Sequence, residues 1–207
     1  MYSTGMTSPS RSALILCGGQ SSRMGRDKAL LPFGSEALLT RVTRLVASAV
    51  PDVTWVAREG QALPPTLTPI VRDPVDGLGP LAAIATGLAA AAGELVFVTA
   101  CDLPFLEPRL ILRLFDLLAD ADVSVPVSGG FPMTMCAVYR RSVVGEAARL
   151  VAAGELSVRA LLDGVHTTRV DVEDLRDTDP FLNSFLDCDT PESYAAALAR
   201  QKSEGRR

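Results

Sequence analysis

Short apolar runs of strand length alternate along this chain with stretches whose apolar residues recur every three or four positions. The run at 13–17 (Ala-Leu-Ile-Leu-Cys) predicts a buried strand. Residues 36–50, with Leu38, Leu39, Val42, Leu45 and Val46 on one face, predict a helix that Pro51 and Asp52 end. Strands follow at 53–57 and 70–71, joined by a connection that carries Pro64, Pro65 and Pro69. An alanine-rich helix is predicted over 81–92, opened by Gly79-Pro80 and closed by Gly93. The β-rich run 95–100 predicts the central strand. A helix over 108–119, strands at 123–127 and 133–139, helices near 142–153 and 157–162, a strand at 166–172 and a helix over 191–199 complete the series.

This alternation specifies an α/β fold, a three-layer α/β/α sandwich around a mostly parallel, Rossmann-like sheet. Neither a repeat nor a long linker divides the chain. Residues 1–12 read as a flexible tail, 13–200 as a single domain and 201–207 as a second tail. In open parallel sheets, ligands bind beyond the carboxyl ends of the strands. The segments that follow strands are therefore where chemistry is expected.

After the first strand stands Leu14-Ile-Leu-Cys-Gly-Gly-Gln-Ser-Ser-Arg-Met-Gly-Arg-Asp-Lys28. Gly18 and Gly19 let the backbone turn sharply and approach a ligand with no side chain between. Ser21, Ser22, Gly25 and three cations (Arg23, Arg26, Lys28) follow within a few residues. Backbone N–H groups beside clustered positive charge are what a polyphosphate needs. The spacing is not that of a P-loop, because Lys28 follows Asp27 and precedes Ala29, and the dinucleotide fingerprint Gly-x-Gly-x-x-Gly is absent. The plainer alternative is a glycine-rich strand-to-helix turn with solvated cations.

Composition narrows the partners. The chain has 207 residues, 48% of them apolar, enough for one core without disulfides or structural metal. A net charge of −4 argues against a general nucleic-acid or anionic-membrane binder, so the Arg23/Arg26/Lys28 cluster stands out as a small-anion site. Four cysteines (17, 101, 136, 188) without a Cys-x-x-Cys pair, and one histidine, make a Cys/His zinc site improbable and fit a reducing cytoplasm. Cys17 and Cys101 fall at strand ends near the proposed site. They read either as oxidation-sensitive groups or as small buried hydrophobes. No run reaches transmembrane length, and residues 1–12 do not resemble a signal peptide.

Asp102 ends the apolar string that begins at Val96. A carboxylate there needs a partner, because desolvating it alone costs several kcal/mol. Mg²⁺ bridging phosphate oxygens would supply one; the alternative is a cap for the helix after Pro104. Asp73, before Pro74, either accepts hydrogen bonds from a base or ribose or initiates a turn. Backbone N–H groups at Gly79 either face a nucleotide or simply begin a helix.

The string Gly-Gly-x-Ser-x-Arg-Met-Gly-x-Asp-Lys resembles the signature loop of nucleotidyltransferases, closest to the molybdenum cofactor guanylyltransferases. Cys101-Asp-Leu-Pro-Phe-Leu106 resembles the family's metal-binding segment, and Asp76-Gly-Leu-Gly-Pro-Leu-Ala-Ala-Ile84 its Gly-Pro-Leu-Ala-Gly-Ile segment. Residues 131–141 resemble a proline-containing strand near its acceptor site. The likeness covers roughly residues 12–200. Two departures bear on base choice and acceptor. Asp187-Cys-Asp189-Thr-Pro-Glu192 stands where guanylyltransferases usually have Asn-x-Asn-Thr-Pro-Glu, and Val56-Ala57-Arg58 stands where they carry an asparagine. Acidic residues in the late motif are more typical of the related cytidylyltransferases.

The resemblance implies transfer of GMP from GTP to the phosphate of molybdopterin with release of pyrophosphate. Cytidylyl transfer to the same pterin, nucleotidyl transfer to a sugar phosphate, and a non-catalytic nucleotide-binding adaptor are the alternatives. It implies Arg23, Lys28 and Asp102 as catalytic residues. Leu16, Cys17, Gly18, Gly19, Lys28, Asp73, Gly79 and Asp102 form the implied nucleotide site. It implies Mg²⁺ on Asp102; Asp187 reads either as a second carboxylate for that ion or as a cap of the final helix. Transient docking to cofactor-biosynthesis proteins or molybdoenzymes fits the handover of a labile product; nucleic acid and membranes are not expected partners.

Overall fold

The computed structural model describes residues 9–18, 27–73 and 77–204. β1 (Arg11–Leu16) pairs in parallel with β4 (Val53–Arg58) on one side and β6 (Leu95–Ala100) on the other. Their alternation sends Ala13, Ile15 and Cys17 to one apolar cluster and Leu14 and Leu16 to the other, so both faces of the strand are buried. Helices α1 (Leu38–Ala47) and α3 (Pro108–Leu118) contribute to the first cluster. Helices α2 (Gly79–Ala90), α4 (Val144–Ala152) and α5 (Val158–Gly164) contribute to the second. Three layers result, as the apolar pattern predicts.

The remaining strands are β5 (Ile70–Asp73), β7 (Val123–Ser128), β8 (Phe131–Pro132), β9 (Cys136–Arg140) and β10 (Thr167–Asp171). The sheet runs β10-β7-β9-β6-β1-β4-β5, with β8 beside β7. β6 is the middle strand of this path, in agreement with expectation. From β1 the chain moves outward through β4 and β5, then returns to the opposite side of β1 as β6. The order therefore reverses between β1 and β6, where a crevice opens at the strands' carboxyl ends. Cys17 and Gly18 leave β1 at that point, and Cys101 and Asp102 leave β6.

Two departures from the predicted elements shape this end of the sheet. β9 is antiparallel to both its neighbours. The strand expected over 133–139 also begins only at Cys136, because the backbone turns first, with the Cys136 N–H donating to the Met133 carbonyl at 2.9 Å. Residues 133–135 keep single backbone bonds to the sheet, Met133 N–H to the Pro126 carbonyl and Ala100 N–H to the Met135 carbonyl, and line a cavity. A small hairpin, β2 (Pro32–Phe33) with β3 (Glu36–Ala37), precedes α1. The last helix, α6 (Pro191–Glu204), supplies Ala197, Tyr194 and Leu198 to a third cluster with Leu31, Phe33, Leu38 and Cys188. That cluster fastens the late chain onto residues just beyond Lys28.

Gly93 does not close α2, which ends at Ala90. Its role is close approach: a Cβ there would lie 2.6 Å from Ser12 N and 2.8 Å from Arg11 C. The Gly93 N–H donates to Ser12 Oγ at 3.2 Å. Gly93→Ala forces backbone apart where α2 gives way to β6, and is expected to destabilise the fold by about 1–3 kcal/mol. A urea titration measures this as a lower midpoint at unchanged slope; an unaltered midpoint would contradict the account.

Candidate active site

Lys28 opens a short 3₁₀ turn (Lys28–Leu30) that Asp27 caps, its Oδ1 accepting from the Ala29 N–H at 3.0 Å. The turn aims the ammonium at the end of β6, where Lys28 Nζ donates to Asp102 Oδ2 at 2.7 Å. The same ammonium donates to Asp189 Oδ1. Asp102 is 7% exposed. Asp189 arrives because the neighbouring Cys188 is buried in the third cluster and its N–H donates to the Asp102 carbonyl at 3.0 Å.

One ammonium thus stands between two carboxylates, and the groups respond differently. Burial, together with Asp189, raises the Asp102 carboxyl above its ordinary pKa, although Lys28 opposes this. Burial alone would lower Lys28, but Asp102 and Asp189 outweigh it and raise its pKa. The negative charge is least favourable on Asp102, the more buried of the two acids. A further cation would relieve it.

Beside this pair is a cavity of about 250 Å³ lined by Asp102 and Asp187, with Leu103, Met133, Met135 and Phe185 among its apolar walls. Its charged lining among the described residues is entirely negative. A phosphate could approach Asp102 from here only with a cation between them. Among the described residues no group of three or more His, Cys, Asp or Glu forms a metal cluster. Two carboxylates in one cavity are nonetheless the set that Mg²⁺ uses when phosphate oxygens complete its shell.

The capping alternatives fail on geometry. α3 starts at Pro108 with Glu107 as its cap, not Asp102. α6 is opened by a reciprocal pair, Ser193 N–H to Thr190 Oγ1 and Thr190 N–H to Ser193 Oγ, each at 3.1 Å. Asp187 does not cap that helix. It is exposed, and its Oδ1 accepts from the Asp189 N–H at 3.2 Å.

The other predicted nucleotide residues lie on the β1/β4/β5 side of the crevice. Asp73 ends β5 in register with Arg58 of β4, is buried, and accepts from Thr86 Oγ1 at 3.4 Å. Gly79 begins α2 at φ +76°, and a side chain there would meet nothing within 4 Å. Leu16 and Cys17 turn their side chains into the core. The Leu16 carbonyl accepts from Cys101 N, and Cys17 N donates to the Val56 carbonyl. These two residues therefore form wall rather than free hydrogen-bonding groups. Gly18 is the first exposed position after the strand, with Arg58 Cγ 3.1 Å from where its Cβ would be. Gly19 and Arg23 lie outside the described residues. All four cysteines are buried free thiols, and burial raises Cys17 and Cys101 far above reactive range, so the small-hydrophobe reading holds.

Two residues escaped the sequence reading. Asp189 was visible only as a departure from the late motif, and Gln61 carried no signal at all.

Comparison with known proteins decides the family. The sequence profile of the MobA-like NTP transferase domain matches residues 13–171. The chain belongs to that family. A "Probable molybdenum cofactor guanylyltransferase" of Mycobacterium marinum is 40% identical over 172 residues, spanning 80% of this chain and 85% of the relative. This MobA-like protein is accordingly a nucleotidyltransferase of the molybdenum cofactor guanylyltransferase kind. Its fold is also that of solved structures. Molybdopterin-guanine dinucleotide biosynthesis protein A from Archaeoglobus fulgidus superposes with a TM-score of 0.81 at 22% identity, covering 93% of this chain and 99% of that one. The 2-C-methyl-D-erythritol 4-phosphate cytidylyltransferase of Thermus thermophilus gives 0.68 at 20% identity, with 93% and 99% covered. No helix among the described residues of this MobA-like protein is long and apolar enough to cross a membrane.

Proposed function

We propose that this enzyme transfers GMP from GTP to the terminal phosphate of molybdopterin, releasing pyrophosphate. The observation that carries the reading is the 2.7 Å contact of Lys28 with Asp102 at the switch point of the sheet, beside a cavity that holds a second carboxylate. No covalent nucleophile is required. The acceptor phosphate attacks the α-phosphorus in line, so catalysis consists of positioning two anions and neutralising charge.

In this reading the triphosphate lies along the segment from Gly18 to Lys28, with Lys28 and Arg23 on its oxygens. The acceptor enters through the cavity lined by Met133, Met135 and Phe185, whose apolar walls suit a flat heterocycle. Asp102 and Asp187 would hold Mg²⁺, which when bound neutralises phosphate charge and lets two anions meet. Asp102 fixes Lys28 before substrate arrives, and Asp189 keeps the ammonium from swinging into solvent. Asp73 and Gly79 would meet the base and ribose.

The acidic late motif gives cytidylyl transfer a specific basis as the second reading. Purified protein with magnesium, molybdopterin and each nucleoside triphosphate in turn separates them by pyrophosphate release. GTP is expected to support turnover at least about tenfold better than CTP, well within the roughly 10⁴-fold discrimination that a site built to hydrogen-bond its ligand can reach. Preference for CTP would reverse the choice of base. Nucleotide binding without pyrophosphate release in the presence of the acceptor would sink the enzymatic assignment.

A further inference from the structure

Gln61 lies between β4 and β5, outside any strand or helix, yet is only 7% exposed. Every polar atom of its side chain is engaged. Nε2 donates to the Cys17 carbonyl at 2.9 Å and to Asp27 Oδ2 at 2.8 Å, and Oε1 accepts from the Arg58 N–H at 3.1 Å. Its backbone is equally anchored, the N–H donating to the Arg58 carbonyl and the carbonyl accepting from Arg72 Nη1 at 3.2 Å. Only an amide matches this arrangement, with two donors facing oxygens and one acceptor facing an N–H.

The two oxygens it grips bracket the signature segment. Cys17 immediately precedes Gly18, and Asp27 immediately precedes Lys28. Asp27 uses its other oxygen to cap the turn that Lys28 begins. Contacts therefore run from β4, through Gln61 and Asp27, to the turn that begins with Lys28. We infer that Gln61 is the positioning residue of the nucleotide site: it sets the span between the two ends of the signature segment, at Cys17 and at Asp27. The assignment rests on the reading of that segment as the triphosphate site. Gln61 itself touches no reacting atom, so its effect is expected on nucleotide binding rather than on the chemical step.

The test compares Gln61→Met, which keeps length and volume without donors, with Gln61→Glu, which keeps shape but turns an anion toward Asp27 Oδ2. Arg58 and Arg72 are the cations in the same network. Both variants are expected to raise KM for the nucleoside triphosphate about tenfold or more, with kcat within about threefold of wild type. Asp27→Asn combined with Gln61→Met should be less than additive, since both cut one contact. A role in packing alone predicts a lower urea midpoint with unaltered KM, and that outcome overturns the inference. Should one substitution prevent folding, the other and Asp27→Asn give the same decision. Equilibrium dialysis of wild-type protein with GTP and with CTP keeps the two readings apart. If it binds neither, the nucleotide site itself is refuted; if it binds and the variants match it, only the role of Gln61 is.

Discussion

Lys28→Ala is expected to lower turnover at least about a hundredfold while leaving a folded protein, the scale set by removing one well-aimed group that stabilises developing charge. The substitution removes the cation that meets Asp102 and, in the proposed reading, the departing pyrophosphate. It also leaves Asp102 and Asp189 facing each other with no ammonium between them. Their repulsion, added to burial, raises Asp102 further above its ordinary range. A group whose pKa is higher in the folded than in the unfolded state lowers stability as pH rises through that interval. The stability deficit of Lys28→Ala relative to wild type should therefore be larger at pH 7 than at pH 5. Pyrophosphate release and urea midpoints at the two pH values check both halves. Near-wild-type turnover would remove Lys28 from the mechanism.

Asp102→Asn separates activity from stability in the opposite sense. Turnover should again fall at least about a hundredfold, because the amide keeps the shape but cannot hold a cation. Stability at pH 7 should be unchanged or higher. Burial already disfavours the charged form of Asp102, and Lys28 keeps Asp189 as its partner. A functional carboxylate held at a cost to the fold predicts this pairing of outcomes; a structural one predicts loss of stability. Thermal unfolding alongside pyrophosphate release distinguishes them, and an active or markedly destabilised variant would show Asp102 to be structural. Asp102→Ala should share the loss of turnover.

Much of the architecture was legible because local patterns and tertiary structure agree. The buried runs that became β1, β4 and β6 carry apolar side chains on both faces, which only a sheet covered by helices can accommodate. The residues after β1 and β6 could be expected to meet because parallel strands bring their carboxyl ends together. The strand expected over 133–139 misled for a local reason. Met133 and Met135 have strand-like periodicity, but the hydrogen bond from Cys136 N–H to the Met133 carbonyl turns the chain there. Apolar side chains facing a cavity look the same in sequence as apolar side chains facing a core.

Sequence alone determined the layers, the order of elements, and the pairing of a glycine-rich, cationic segment with an acid at a strand end, since each depends on neighbours in the chain. Tertiary structure alone decided which distant polar groups complete the site. Gln61 stands 34 residues from Asp27, and Asp189 stands 161 residues from Lys28. Neither separation has a period that sequence can display. Both contacts exist because packing elsewhere, of β4 beside β1 and of α6 over the segment beyond Lys28, delivers those side chains to a place their own surroundings in the chain do not specify.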